Sequence, residues 1–185
     1  MKTSIQLSLL LLTLVSFNLA AETQICNENM IETAPESRFT INGDGTVTDK
    51  QTNLIWARCP QGLSGSDCTV GELVAYSWVD ALALNGTRPT SVTAGPVIET
   101  DWRLPNAKEL ESLGELSCSN PAINQMVFPN TLAEGDSRNP GVFWSSTSVP
   151  NTTSRAWTVF FISFVTGFPN GLAVPYGVRL VRGGQ

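Results

Sequence analysis

The stretch Asp101-Trp102-Arg103-Leu104-Pro105-Asn106-Ala107-Lys108-Glu109-Leu110 decides how the rest of the chain is read. Leu104 stands before a proline, whose ring disfavours the α region for the preceding residue. No helix therefore runs in from upstream. Asn106 can cap a new helix, and Glu109 three residues later completes a capping-box pattern. Leu110, Leu113 and Leu116 follow at spacings that share one helical face. The stretch predicts a short helix from about Ala107 to Leu116, docked by Trp102 and Leu104. Arg103 and Glu109 are placed to pair at its start.

Upstream, the pattern is that of strands. Arg38-Phe39-Thr40-Ile41 and Thr46-Val47-Thr48-Asp49 flank the turn Asn42-Gly43-Asp44-Gly45, as in a β-hairpin. A second turn at Asp49–Asn53 leads to a third strand at Leu54–Arg58, giving an N-terminal meander. The Asp44-Gly45 pair superficially resembles a calcium loop. Aligned as one, it puts Thr40 at position one and Gln51 at position twelve, where acids are needed, so the turn reading is preferred. Ser77 then caps a helix that carries Trp78, Ala81 and Leu82 on one face and ends near Asn85-Gly86. Downstream, Val142–Thr147 reads as a strand, Arg155–Ile162 as a buried central strand, Phe164–Phe168 as its hairpin partner and Tyr176–Arg182 as a last strand. Strands, two helices, then strands predict an α+β fold.

The first residues do not belong to this fold. Lys2, the apolar run Ile5–Val15 and the small pair Ala20-Ala21 form the pattern of a secretory signal peptide, residues 1–21, leaving a polar arm at 22–37, held by Cys26 and Ile31, and a domain at 38–185. The apolar run is too short to span a bilayer comfortably. An exported chain with Cys26, Cys59, Cys68 and Cys118 is expected to hold two disulfides, for which three pairings exist. The flexible run Gly62-Leu63-Ser64-Gly65-Ser66 favours Cys59–Cys68, and Cys26–Cys118 then follows. No C-x2-C spacing supports zinc. Residues 22–116 hold 14 acidic and 6 basic side chains, whereas residues 117–185 hold 2 and 4. An acidic chain is a poor partner for nucleic acid.

Several blocks occur in order: Arg38-Phe39-Thr40 with Gly43-Asp44-Gly45-Thr46-Val47-Thr48-Asp49 and Trp56; Trp102-Arg103-Leu104-Pro105-Asn106 with Lys108-Glu109-Leu110; Pro121-Ala122-Ile123-Asn124 with Phe128-Pro129-Asn130-Thr131; Trp144-Ser145-Ser146-Thr147; Ala156-Trp157; and Val178-Arg179-Leu180-Val181-Arg182. Together they resemble the Lcl C-terminal domain family of bacterial exported domains, over about Arg38 to Arg182. The family is named from a collagen-like adhesin, and the resemblance implies binding of glycosaminoglycans. Arg103-Leu104-Pro105 with Glu109 and Glu111 is similar to a run in formylglycine-generating enzymes, which implies a C-type-lectin-like fold with a loop-rich ligand face.

Chemistry is sparse. The chain has no histidine, which removes Ser-His-Asp and Cys-His catalysis and imidazole metal sites. Glu109 and Glu111 point to different sides of a helix. No cysteine follows Cys118, so nothing carries formylglycine-type oxidase chemistry. Phe128-Pro129-Asn130, Val149-Pro150-Asn151 and Phe168-Pro169-Asn170 lack the carboxylate of a lectin calcium triplet. Glu134, Asp136 and Asn139 read as a solvated loop. Trp56, Trp78, Trp102 and Trp157 have core spacing, which leaves Trp144, bordering the polar run Ser145-Ser146-Thr147-Ser148, as the candidate sugar platform. The resemblance makes Arg179 and Arg182 a candidate basic patch.

The expectation is an exported, non-catalytic binding or adhesion module with no catalytic, metal or cofactor site. Its ligand would be a surface glycan or an envelope or host surface protein. The alternative is a structural or oligomerising envelope subunit without a small ligand.

Overall fold

The computed structural model describes residues 24–93, 99–131, 141–152, 155–167 and 171–183. The signal-peptide segment, the side chains Glu134, Asp136 and Asn139, and the triplet Phe168-Pro169-Asn170 lie outside them.

A short strand β1 (Ile25–Cys26) opens the chain, followed by a 3-10 turn at Glu36–Arg38. The meander comprises β2 (Phe39–Ile41), β3 (Thr46–Asp49) and β4 (Ile55–Ala57), all antiparallel, with Thr40 opposite Thr48 and Val47 opposite Trp56. The β2–β3 turn closes on itself, because Asp44 Oδ1 accepts from the Thr46 amide at 2.9 Å and its hydroxyl at 2.6 Å. Gly45 is required there. Its φ is +87°, and a Cβ would sit 1.8 Å from the Ser91 carbonyl oxygen. The second turn is built on Asp49, which accepts from the Gln51 amide, the Thr52 hydroxyl and the Arg38 guanidinium.

The loop between Cys59 and Cys68 is not a slack tether. It supplies β5 (Leu63–Ser64) to a small hairpin whose second strand, β6 (Val70–Gly71), lies just past Cys68, with Cys59, Leu63, Cys68 and Leu73 in a private apolar cluster. The glycines read as flexibility instead supply the left-handed corners: Gly62 and Gly65 have φ of +95° and +88°. Both expected disulfides are present, Cys59–Cys68 and Cys26–Cys118.

Helix α1 (Trp78–Ala83) is capped by Ser77, whose side chain accepts from the Asp80 amide. Helix α2 (Ala107–Glu111) starts with the full capping box, Asn106 accepting from the Glu109 amide and the Glu109 carboxylate from the Asn106 amide. Arg103 grips the same carboxylate through two bonds of 2.7 Å. The helix stops well short of Leu116. Ser112 bonds back to the Glu109 carbonyl, and Gly114 turns out of the helix to bridge Ile123. A Cβ at Gly114 would fall 1.9 Å from the Phe164 ring. Leu110 and Leu113 are buried as the spacing requires, but Leu116 is exposed.

Beyond α2 come β7 (Cys118–Ser119), β8 (Val142–Ser148), β9 (Ala156–Phe160), β10 (Val165–Gly167) and β11 (Val181–Arg182). β7 pairs with β1, and β10-β9-β8 form a three-stranded antiparallel sheet. β11 joins the meander in the order β11-β4-β3-β2, so the C-terminal strand closes the N-terminal sheet. The architecture is therefore α+β, with two short helices and several antiparallel sheets.

The expected last strand is regular only at Val181–Arg182. Before that, the segment bridges both halves. Tyr176 pairs with Tyr76, Gly177 with Phe143, and Leu180 accepts from the Ala57 amide. Its side chains alternate across the backbone. Val178 and Leu180 enter a cluster with Trp102, Leu104 and Trp144, whereas Val181 enters a second cluster with Trp56, Leu110 and Phe143.

Candidate functional site

The residues that sequence reasoning nominated do not form a site. Trp144 is fully buried, donates from Nε1 to the Tyr76 carbonyl at 2.8 Å and meets the Tyr176 ring edge-on at 4.9 Å. No face is left for a sugar, so Trp144 is corrected to a core residue. Its neighbour Ser145 is also buried, and the polar run it begins had suggested a surface edge.

Arg179 is likewise buried. Its guanidinium lies over the Phe128 ring at 4.9 Å and near the Phe143 ring at 5.7 Å. It donates to the Ala57 and Arg58 carbonyls and to the Thr131 hydroxyl. Desolvation pulls its pKa down to about 9, so it stays cationic at neutral pH. Aromatic faces and carbonyl dipoles supply the negative potential that water would otherwise provide.

Arg182 projects the other way, because residues three apart in an extended segment lie on opposite faces. It bonds Glu99 at 2.6 Å, lies 3.6 Å from Asp101 and covers the Trp102 ring. The basic patch is thus corrected to one buried cation and one neutralised cation. Asn130 of the first Pro-Asn triplet donates to the Cys68 carbonyl and holds a turn.

A more promising surface lies on the N-terminal arm. The arm was expected to be held by Cys26 and Ile31, but Ile31 is 90% exposed. Other groups do the holding. Glu115 is buried, and its carboxylate accepts from the amides of Thr33, Ala34 and Ser117 and from the Ser117 hydroxyl. Burial alone would raise its pKa, yet the bonds from Ser117, Ala34 and Thr33 hold it below the ordinary glutamate value. Gln24 donates to the Pro121 and Ile123 carbonyls, Asn124 to that of Ala34, and Ala34 itself is in the core. The disulfide Cys26–Cys118 completes the clasp.

Two shallow grooves run along this arm and share Glu36 and Ser37. One, about 430 Å³, lies among Gln24, Cys26, Glu32, Glu115 and Met126. The other, about 390 Å³, follows the outside of β2, lined by Phe39, Ile41 and Val127. Ile25, Met30 and Ile31 on the arm, with Leu116 and Met126 beside it, are large apolar side chains left open to water. Glu28, Glu32 and Glu36 are exposed among them. The arm's mix of acids and isolated apolar residues was the only sequence signal for this surface, and it read as a polar tail.

The surface offers no catalytic constellation. Among the described residues, no group of three His, Cys, Asp or Glu could hold a metal ion. No described helix is long and apolar enough to cross a membrane. Residues 45–182 match the model of the Lcl C-terminal domain. No curated protein matches the chain.

Proposed function

The chain belongs to the Lcl C-terminal domain family, and on that premise we propose that it is an exported, non-catalytic binding module for another protein of the envelope or of a host surface. The partner sits on the clasped N-terminal arm and the grooves beside it. The observation that carries this reading is Ile31, held 90% exposed within a segment pinned by a disulfide and a buried carboxylate. Apolar side chains on a slack tail are unremarkable, whereas several large ones held open on an ordered segment point to an interaction site. Two of the five tryptophans, Trp78 and Trp157, are even half-open, and Trp78 Nε1 already bonds the Ser145 carbonyl. A protein partner therefore fits better than a glycan.

The test is adhesion of the labelled mature protein to cell surfaces treated with protease or with glycosidases. Protease should abolish binding, glycosidases should leave it, and Ile31→Asp with Met126→Asp should reduce it at least tenfold. Loss on glycosidase treatment alone would overturn the protein reading in favour of a glycan. No binding to any surface, with a stable oligomer by light scattering, would make the chain a structural subunit.

A further inference from the structure

We propose that the open edge of β2 takes an extended segment of the partner as an added strand, and that this segment carries a lysine or arginine where it passes Glu36. The inference rests on the binding-module reading and names how the partner is held. It follows from hydrogen-bond parity. The Lys50 amide donates to the Arg38 carbonyl, and the Asn42 amide to the Thr46 carbonyl. In an antiparallel ladder the bonded pairs alternate, so Thr40 faces Thr48 while Phe39 and Ile41 turn their backbone groups outward. The Phe39 amide is taken by the Glu36 carbonyl. The Phe39 carbonyl and both backbone groups of Ile41 have no partner among the described residues.

The sheet ends at β2 on this side. At its other end, Val181 is bridged by Arg103. Edges of this kind are normally blunted by shortness, a charge, a proline or a bulge. β2 consists of Phe39, Thr40 and Ile41 and carries no charge, proline or bulge, so only its shortness guards it and an added strand would gain few ladder bonds. An apolar groove runs beside it, with Ile41 42% exposed. A strand laid along this edge would form ladder bonds to Ile41 and place alternate side chains over Phe39 and Val127.

Charge selects the occupant. Arg38 at the start of the edge is consumed by Asp49 and the Ser112 carbonyl. Glu36, and Glu32 in the adjoining groove, are exposed and have no cationic partner among the described residues. The rim is therefore negative, and an extended basic segment is favoured over a second copy of this acidic chain.

The probe is a random ten-residue peptide display library, panned against the full mature chain and against its Ile41→Pro variant. Proline removes the outward amide and is tolerated on an edge strand. Enriched peptides should be apolar at alternate positions, carry Lys or Arg near one end and lack central proline. Their affinity should fall about tenfold with Ile41→Pro, the order expected for losing a ladder bond with its alignment, and much less with Ile41→Ala. The Ile41 amide should gain protection from hydrogen exchange in the complex. Should Ile41→Pro not fold, Glu36→Lys serves, and should shift enrichment from basic to acidic peptides. Enrichment of helical-spaced or proline-rich peptides, no enrichment at all, or retention by Ile41→Pro would overturn strand addition. A concentration-dependent dimer abolished by Ile41→Pro would overturn it in favour of edge pairing between copies. Surface adhesion that survives Ile41→Pro would sink this inference alone, whereas absent adhesion of the unmodified protein would sink the module reading itself.

Discussion

Single side chains in this protein are committed to holding the chain, and Glu115 shows how closely. Its folded-state pKa lies below the ordinary value of 4.5. Its stabilisation is therefore complete above that value and is lost as pH falls through the lower, folded one. Acidification should release the arm before the rest of the domain unfolds, seen as early loss of exchange protection at the Thr33 and Ala34 amides. Glu115→Gln should do the same at neutral pH and cost roughly 1–3 kcal/mol in denaturant unfolding. Unchanged protection in that variant would show that the disulfide alone suffices. Trp144→Ala should cost about 3–5 kcal/mol, as for other buried aromatic truncations. If it instead lowered ligand binding with stability intact, the ring would have to be accessible. Arg179→Lys keeps the charge but loses the planar fork that reaches two carbonyls and a hydroxyl while lying on an aromatic face. It should destabilise by about 2–4 kcal/mol, within the range of broken buried networks. A midpoint within experimental error of wild type would argue against that network.

At the scale of elements, the two disulfides have different duties. Cys59 and Cys68 are within the apolar cluster they close, and both are essentially inaccessible. Cys26 is exposed and Cys118 half-exposed at the groove. A mild reductant should open Cys26–Cys118 first, detected by differential alkylation and mass mapping. Equal labelling of all four thiols would refute that order. Loop-closure entropy gives about 4–5 kcal/mol for the long bridge and about 3 for the short one. The accessible bridge is thus the one with more chain to restrain.

Elements also mark where sequence reading was sufficient. The α2 cap, the β2–β3 turn and the cysteine pairing were legible because each depends on residues a few positions apart, or on pairing by elimination. The small β5–β6 hairpin that straddles Cys68 was not, since its two-residue strands are too short to show periodicity. The end of α2 was missed because it depends on a distant ring, Phe164, packing against Gly114. The candidate site was least legible. Trp144 beside a Ser-Ser-Thr run has the local look of a surface residue, and only the tertiary path of Tyr76 and Tyr176 over it decides otherwise. The arm failed in the opposite sense. Ile31 looked like an anchor, while Glu115, which provides the hold, is 82 and 81 positions from the two arm amides it binds, those of Thr33 and Ala34.

For the whole molecule, charge and apolar exposure converge on the side where the N-terminal arm, β2 and the α2–β7 connection meet. The remaining cations described near the core are consumed: Arg38 by Asp49, Arg103 by Glu109, Arg182 by Glu99. If an anionic polymer were the ligand, binding would weaken steeply with salt. The proposed protein groove predicts only a modest loss between low and physiological salt, because its apolar contacts are not screened. A steep salt dependence in the adhesion assay would return attention to polyanions.

The course of residues 176–182 through both halves of the core also bears on the order of events during synthesis. Val178, Leu180 and Val181 come last in chain order among the buried members of the two apolar clusters, and each cluster is incomplete without them. A nascent chain halted near residue 175 could hold its meander turns and helix caps but neither finished interior. Commitment to the native state is thus deferred until residues 176–182 have been made, leaving the segments before them pliable until then.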